Sequence, residues 1–238
     1  MNIALSGYGK MGREVEKAAG LRNHTIVIKL DQPSDWKLLP TLNNKIDVVI
    51  DFSMPEVAVE NIFQCFQLGL PVVTGTTGWY NHLDEVEKQC TMHNGTLFYA
   101  PNFSIGVNLF FTANKQLSRL MSDVEGYNVH IEETHHIHKL DAPSGTAIKV
   151  AEGILENNLQ LKKWVNNKTE TDDELPIISY RKGEEPGTHQ VIYESGADRI
   201  TLKHEAKNRS GFAMGALMAA EFVIGKKGVF TMTDLLGI

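Results

Sequence analysis

The chain has 238 residues, 42% of them hydrophobic and 22% charged, which is typical of a globular protein and excludes a disordered chain. Its net charge of −6 at pH 7 excludes an extended basic surface for nucleic acid and gives no long-range attraction for an anionic ligand. Such a ligand must be held by local groups, such as helix N-termini and a few placed cations.

The N-terminus lacks the basic and apolar regions of a signal peptide, and no apolar run approaches the roughly 20 residues that span a bilayer. We therefore expect a soluble, cytoplasmic protein with no membrane partner. Cys65 and Cys90 form no C-x-x-C pair and lie in helix-like stretches, so we interpret both as buried free thiols.

The first hundred residues alternate short apolar runs with amphipathic stretches. We predict strands over 2–5, 25–30, 46–52, 70–74 and 96–99, and helices over 13–21, 56–68 and 83–93. The link 31–45 contains two prolines, and we expect a loop or a single turn there rather than a full crossover helix. Buried strands alternating with helices favour an α/β fold of the Rossmann type, a doubly wound parallel sheet.

The pattern changes after residue 103. We predict helices over 107–121 and 147–155, strands over 128–133, 177–181, 189–194 and 199–204, and a polar surface loop over 166–174. Strands separated by turns favour an antiparallel or mixed sheet in a second domain. The apolar helix predicted over 212–224 is typical of a crossover helix that completes the first domain.

A glycine motif follows the first predicted strand and opens the first predicted helix. Gly7, Gly9 and Gly12 fit G-x-G-x-x-G, in which the glycines allow a tight turn, backbone approach to a pyrophosphate and close helix packing. The intervening Tyr8, Lys10 and Met11 would line the same loop. The alternative is a glycine turn with no ligand.

Asp31 ends the second predicted strand, 19 residues after Gly12. A carboxylate there is expected to bind the 2′-hydroxyl of a ribose. Because Gln32 and Pro33, rather than an arginine, follow it, the position favours NADH over NADPH. An ordinary loop aspartate is the alternative.

Two further loops follow predicted strands at the edge where doubly wound sheets bind ligands. The first contains Gly75, Thr76 and Thr77, whose N–H and hydroxyl groups suit a nicotinamide ribose and carboxamide. The residues of the second loop are Ala100, Pro101, Asn102 and Phe103. Either could be an ordinary loop.

The densest chemistry lies over 133–147, where residues 135–141 contain three histidines, a lysine and an aspartate. One hypothesis is a metal site, but no cysteine and no H-E-x-x-H helix supports it. A second hypothesis is acid–base catalysis facing an anion, with Ser144, Gly145 and Thr146 opening a helix whose N–H groups bind a carboxylate. A third is a solvated basic turn with a structural cap.

The sequence closely resembles the dihydrodipicolinate reductase family. The matching strings run in order from residue 7 to residue 216, nearly the whole chain: G-Y-G-K-M-G, D-F-S, V-T-G-T-T-G, A-P-N-F-S-I-G-V-N, E-E-T-H-H-I-H-K-L-D-A-P-S-G-T-A, P-G-T-H and H-E-A-K-N-R-S-G-F-A-M-G-A. The string that begins at the double histidine is highly specific, whereas the glycine motif is not.

The resemblance implies reduction of 4-hydroxy-tetrahydrodipicolinate, a small dicarboxylate, to tetrahydrodipicolinate by NADH or NADPH in lysine and diaminopimelate biosynthesis. It implies that His135 is the acid–base histidine and Lys139 the proton donor, with His136, Ser144, Gly145 and Thr146 at the substrate. From the residues themselves we expect no metal. The implied cofactor positions are Gly7, Tyr8, Gly9, Lys10, Met11, Gly12, Asp31, Gly75, Thr76, Thr77, Ala100, Pro101, Asn102 and Phe103.

The resemblance also implies a dinucleotide-binding domain over 1–103 and 210–238. A smaller α+β domain over 104–209 would bind substrate and, through an open mixed sheet, build a homotetramer. The family often has arginine where Ile137 stands, so this loop has one cation fewer. Two alternatives remain open: a related dehydrogenase acting on another small acid, and a non-catalytic cofactor-binding sensor.

Overall fold

The structure, a computed structural model, describes residues 1–167 and 169–238, with Asn43 described by its backbone alone. The chain divides into two compact units: Met1–Ile105 together with Arg209–Ile238, and Gly106–Asn208. Within the described residues, no helix combines the length and the apolar character needed to cross a bilayer.

The elements are numbered in chain order. The strands are β1 (Asn2–Ser6), β2 (Thr25–Leu30), β3 (Val48–Asp51), β4 (Val72–Thr74), β5 (Thr96–Tyr99), β6 (Asn128–His135), β7 (Lys163–Asn166), β8 (Glu174–Arg181), β9 (Thr188–Glu194), β10 (Arg199–Glu205) and β11 (Gly228–Phe230). The helices are α1 (Lys10–Leu21), α2 (Pro33–Trp36), α3 (Leu39–Leu42), α4 (Pro55–Gln67), α5 (Leu83–Met92), α6 (Ile105–Met121), α7 (Gly145–Leu155), α8 (Ser210–Val223) and α9 (Met232–Leu236).

The first unit contains a six-stranded sheet in the order β11-β5-β4-β3-β1-β2, in which every neighbouring pair is parallel. Side chains of α1 and α8 pack on one face, and side chains of α4 and α5 pack on the other. All four residues of β3 are buried, as expected for a strand covered on both faces. The predicted doubly wound parallel sheet is confirmed.

The first unit differs from the prediction at short elements. The predicted helix 13–21 begins earlier, at Lys10, because Gly9 serves as its N-cap. The link 31–45 contains two single-turn helices, α2 and α3, and a 3₁₀ turn, so the prediction that it lacks a full crossover helix is confirmed. Strand β11 and helix α9 were not predicted, since elements of three to five residues carry almost no hydrophobic periodicity.

The second unit contains a five-stranded mixed sheet in the order β10-β9-β6-β8-β7. Strand β9 pairs antiparallel with β6 and β10, and β8 pairs parallel with β6 and β7. Although β8 and β9 follow one another in the chain, β6 lies between them. The predicted mixed sheet of the second domain is confirmed.

Several predicted boundaries in the second unit were wrong. The strand predicted over 128–133 continues to His135, and the strand predicted from 177 begins at Glu174. Strand β7 was not predicted, so the predicted loop 166–174 overlaps the end of β7 and the buried start of β8. Within that loop, Lys168 lies outside the described residues.

The core of the second unit positions its polar groups. Ile131 on β6 pairs in register with Ile177 on β8 and Val191 on β9, and all three pack on α6 and α7. Because side chains alternate between the two faces of a sheet, Glu133 and His135 lie on this same buried face. The apolar core therefore gives way to a polar cluster at the carboxyl end of β6.

Candidate functional site

The glycine loop between β1 and α1 has the geometry of the predicted motif. A Cβ on Gly7, whose φ is +81°, would lie 2.3 Å from the Phe52 carbonyl oxygen, and one on Gly12 would lie 2.3 Å from the Gly7 oxygen. These two positions require glycine. A Cβ on Gly9, the N-cap of α1, would meet nothing within 4 Å, so the exposed backbone there is open to a ligand.

A cleft of about 520 Å³ opens beside this loop, in the first unit. It is lined by Ser6, Gly7, Tyr8, Gly9, Leu30, Asp31, Gln32, Pro33, Trp36, Phe52, Ser53, Met54, Val57, Glu60, Asn61 and Gln64. The loop backbone, the N-terminus of α1 and the carboxylate of Asp31 fit the pyrophosphate and ribose of a dinucleotide.

Asp31 is exposed at the mouth of this cleft, and its Oδ1 accepts a hydrogen bond from the Tyr8 N–H at 2.9 Å. The neighbouring cation, Lys29, lies 2.9 Å from Glu16 and 3.8 Å from the centre of the Tyr8 ring. Lys29 is therefore already engaged with an anion and an aromatic face.

A buried carboxylate connects the loops around the cleft. Asp51, the last residue of β3, is fully buried, and its Oδ1 accepts from the Ser6 hydroxyl at 2.6 Å and from the Asn61 amide at 3.2 Å. Its Oδ2 accepts from the hydroxyls of Thr74 at 2.9 Å and Thr76 at 2.7 Å. One side chain thus joins the first glycine loop, the loop after β4 and helix α4.

The remaining predicted cofactor residues differ in exposure. Thr77 and Pro101 are exposed, as are Lys10 and Gly9, whereas Thr76 and Ala100 are buried. A Cβ on Gly75 would lie 2.1 Å from the Phe52 ring, so that position also requires glycine.

Phe103 takes part in the core of the first unit. Its ring centre lies 5.8 Å from those of both Phe52 and Phe98, and it is 2% exposed. Its side chain is therefore used in core packing, and its part in cofactor binding stays a prediction.

In the second unit, the carboxylate of Glu133 is the centre of the polar cluster. Sheet register places Ser179 of β8 and His189 of β9 beside it. The carboxylate accepts from the Ser179 hydroxyl at 2.8 Å and from the Ser144 N–H at 3.1 Å, and the Arg181 guanidinium lies 3.6 Å away. Burial acts to raise the pKa of Glu133, but the hydrogen bonds from Ser144 and Ser179 outweigh it and lower that pKa.

Two buried histidines flank this carboxylate. Nδ1 of His135 lies 3.4 Å from Oε2 of Glu133, but the geometry does not form a hydrogen bond. The ring centres of His135 and His189 are 5.0 Å apart. Burial lowers the pKa of His135; Glu133 opposes that shift, while Lys139 and Arg181 add to it. Burial also lowers the pKa of His189 to about 3, so this ring is neutral at pH 7.

The loop after β6 carries Lys139. Its ammonium lies 2.8 Å from the Asp141 carboxylate, and this hydrogen bond lowers the pKa of Asp141. Arg181 donates to the backbone carbonyls of both Lys139 and Asp141. Arg181 thereby fixes this loop and supplies a cation beside it. Ile137, in the same loop, is 59% exposed.

Helix α7 begins directly after this loop. Ser144 is its N-cap and accepts from the Ala147 N–H at 3.2 Å, as the cap prediction required. The first turn contains Gly145, which is exposed, and Thr146, and it holds no acidic residue. His136 is partly exposed on the loop that leads here, and His138 is exposed. The helix N-terminus and the nearby cations form a site suited to carboxylates.

Glu133, His135 and His189 also offer three possible metal ligands within 4.8 Å of one another. The carboxylate is already hydrogen-bonded to Ser144 and Ser179 and faces Arg181, whose positive charge opposes a bound cation. These residues therefore fit a metal ion poorly. The absence of a metal from the reaction stays a prediction.

Sequence reasoning missed Asp51, Glu133, Arg181 and His189 as functional candidates. Three of them lie within strings that carried the family resemblance: D-F-S contains Asp51, E-E-T-H-H-I-H-K-L-D-A-P-S-G-T-A contains Glu133 as its second residue, and P-G-T-H ends at His189. Arg181 lies outside those strings, and only its register opposite His135 brings it to the cluster.

Comparison with known proteins covers both units. Residues 1–103 match the family model described as dihydrodipicolinate reductase, N-terminus, and residues 106–236 match dihydrodipicolinate reductase, C-terminus. A 4-hydroxy-tetrahydrodipicolinate reductase from Christiangramia forsetii is 48% identical over 99% of this chain and 98% of that one. Another, from Rickettsia bellii, is 37% identical over 98% of this chain and 94% of that one.

Among solved structures, a dihydrodipicolinate reductase from Paenisporosarcina sp. TG-14 with bound dipicolinate is similar to this chain. It superposes with a TM-score of 0.78 at 28% identity, covering 97% of each chain.

Proposed function

Because this chain belongs to the dihydrodipicolinate reductase family, we propose that it reduces 4-hydroxy-tetrahydrodipicolinate to tetrahydrodipicolinate with a nicotinamide cofactor. The observation that carries the proposal is the cluster of His135, Lys139 and the N-terminus of α7, which provides acid–base groups beside a carboxylate-binding helix end. A dinucleotide cleft in the same chain supplies the other requirement of a reductase.

The reaction balances as a reduction with loss of water. Elimination of the 4-hydroxyl as water leaves a conjugated C=C–C=N system in the ring. That ring then gains one hydride and one proton, and its two carboxylates are unchanged. Hydride addition builds negative charge on the ring, which a nearby ammonium stabilises more strongly than it stabilises the ground state.

Lys139 donates the proton in this proposal, and His135 is the second acid–base group. The Lys139 ammonium is partly exposed, with 22% of its side chain accessible, and is already paired with Asp141. A substrate carboxylate can share or replace that ion pair. His135 is buried and neutral at pH 7, since burial lowers its pKa, so it is able to accept a proton.

The substrate carboxylates bind at the first turn of α7 and its approach. Gly145 and Thr146 offer N–H groups there, Ser144 caps the helix, and His136 lies on the preceding loop. The binding of dipicolinate by the Paenisporosarcina enzyme supports a ring dicarboxylate as the ligand class.

Bound nicotinamide cofactor supplies the hydride. The first unit holds it through the Gly7–Gly12 loop, Asp31, the loop of Gly75, Thr76 and Thr77, and the backbone after β5. We propose that NADH is used at least as well as NADPH, because Asp31 faces the cleft and Lys29 is engaged with Glu16. A preference for NADPH in kcat/KM beyond roughly 30-fold, or about 2 kcal/mol, would contradict this.

We also propose a cytoplasmic homotetramer built through the mixed sheet. Ile178 and Tyr180 alternate with core residues of β8 and so lie on the face opposite the core, where Tyr180 is 47% exposed. An apolar component on that face supports contact with another copy. Analytical ultracentrifugation at micromolar concentration tests this, and a monomer would contradict it.

Turnover tests the proposed activity. Freshly generated 4-hydroxy-tetrahydrodipicolinate, added to enzyme and NADH, should cause loss of NADH absorbance together with formation of tetrahydrodipicolinate, identified by mass spectrometry. Dipicolinate should inhibit competitively against substrate. Tight NADH binding without turnover would favour the non-catalytic sensor, and turnover with only other small acids would favour a different dehydrogenase.

A further inference from the structure

We infer that Glu133 is a positioning residue for this reduction: its buried carboxylate faces the ring of His135 and fixes the N-terminus of α7 at the same time. The inference rests on the proposed function, since it assigns His135 to acid–base chemistry. The evidence for the inference is the set of contacts that Glu133 makes.

Glu133 contacts the groups on both sides of the candidate substrate site. Its side chain has no accessible surface, and its Oε2 lies 3.4 Å from Nδ1 of His135. Both carboxylate oxygens lie within hydrogen-bonding distance of the Ser144 N–H, at 3.1 and 3.2 Å. Because Ser144 is the N-cap of α7, one carboxylate links the position of His135 to the start of the helix.

Glu133 also reaches the Lys139 loop indirectly. Arg181 lies 3.6 Å from the carboxylate and donates hydrogen bonds to the carbonyls of Lys139 and Asp141. A rotation of Glu133 would therefore disturb the acid–base histidine, the helix end and the proton-donating loop together.

Burial is the largest influence on His135 and lowers its pKa, and a small set of charged neighbours adds to or opposes that shift. Glu133 on its own strand and Asp141 in the following loop favour the protonated ring, while Lys139 in that loop and Arg181 on β8 oppose it. His189 on β9 packs edge-on against it and is neutral at pH 7. Of the two anions, Glu133 is the buried one, so it has the larger effect and outweighs Asp141.

Glu133→Gln separates charge from packing. Glutamine keeps the side-chain length and one acceptor oxygen for Ser144 or Ser179, but it removes the negative charge beside His135. The pKa of His135 should then fall by roughly one unit, the lower end of the range for losing an opposite charge within 4–6 Å. The pH dependence of kcat should move to lower pH by the same amount, whether His135 acts as acid or as base.

The decisive readout is the titration of His135 followed by NMR with labelled histidine side chains, because it does not depend on turnover. A lower midpoint in Glu133→Gln supports the inference, and an unchanged midpoint overturns it. Glu132→Gln is the matched control: Glu132 is the neighbouring residue of β6 on the opposite face and contacts Gln190, so its substitution should leave the midpoint unchanged.

Two further results keep the test decisive. If Glu133→Gln does not fold, Glu133→Asp withdraws the charge by one methylene and should shift the midpoint in the same direction by less; no shift overturns the inference. If the wild-type chain shows no turnover, the proposed function fails, while the titration still decides whether Glu133 controls His135.

Discussion

Asp51 and Glu133 are both buried carboxylates on central strands, one in each unit, but their neighbours differ in kind. The partners of Asp51 are three hydroxyls and an amide, which keep the same charge across the physiological pH range. The neighbours of Glu133 include two histidines and an arginine as well as hydroxyl and N–H donors.

The difference indicates two uses of a buried anion. Neutral donors around Asp51 form a scaffold whose geometry does not respond to pH, as suits loops that hold a cofactor. Titratable groups around Glu133 make the protonation of the site adjustable, as suits proton transfer. The predictions below test whether chemistry and pH response belong to the Glu133 cluster and scaffolding to the Asp51 cluster.

The largest expected effect is at Lys139. Lys139→Met keeps most of the side-chain packing and removes the ammonium, so kcat should fall by roughly 10²–10⁴, the usual range for positioned acid–base catalysis. NADH affinity, measured by fluorescence titration, should barely change, because the cofactor groups lie in the other unit.

Lys149→Met is the control for this substitution. Lys149 lies on α7, is 62% exposed and pairs with Glu152, so its loss should leave kcat unchanged. A kcat within threefold of the wild type for folded Lys139→Met would remove Lys139 from the mechanism.

A smaller effect is expected when Asp51 is replaced. In Asp51→Asn, an amide NH2 group, which can only donate, replaces one carboxylate oxygen that accepts hydrogen bonds. A surrounding buried donor is then left unsatisfied, which should lower the free energy of unfolding by about 1–3 kcal/mol. The Kd for NADH should rise because the Ser6 and Thr76 loops are less well fixed, while kcat at saturating NADH stays near the wild-type value.

Urea denaturation and NADH titration measure the two parts of the Asp51 prediction. Asp84→Asn is the control, since Asp84 is exposed on α5. A large fall in kcat at saturating NADH with unchanged NADH affinity would instead give Asp51 a part in the chemistry.

Acidification should destabilise the Glu133 cluster. Burial lowers the pKa of His189 to about 3, below the usual value of about 6.5, so the unfolded chain binds a proton that the folded chain excludes. Stability is therefore full above about pH 6.5 and is lost as the pH falls towards 3, with a slope of roughly 1.4 kcal/mol per pH unit.

Thermal unfolding followed between pH 7 and pH 5 tests this linkage. His189→Gln should flatten the dependence, whereas His82→Gln, at a histidine that is 52% exposed, should not. Equal slopes in wild type and His189→Gln would show that another group controls the acid response.

The smallest expected effect is that of metal removal. Dialysis against a strong chelator should leave kcat and stability unchanged, because Arg181 and two serine donors already satisfy Glu133. Activity that is lost and is restored only by zinc or a similar ion would show that Glu133, His135 and His189 form a metal site.

The sequence predicted the two-domain architecture because long apolar strands and amphipathic helices have clear periodicities. It could not predict β7 or β11, which are too short to show one. Nor could it predict the Glu133 cluster, because Arg181 and His189 reach it only through the register of β8 and β9 with β6. Gly7 and Gly12 could be predicted from the motif, because at each position a side chain would clash with neighbouring backbone.

The most direct test of the account is hydride transfer itself. NADH carrying deuterium at both C4 positions of its nicotinamide ring is incubated with the chain and 4-hydroxy-tetrahydrodipicolinate, and the product is examined by mass spectrometry. We predict tetrahydrodipicolinate that contains one deuterium atom on a ring carbon and is formed in proportion to the NADH consumed. Unlabelled tetrahydrodipicolinate, or no product with the labelled cofactor still bound and unoxidised, would contradict the assignment of this chain as a reductase.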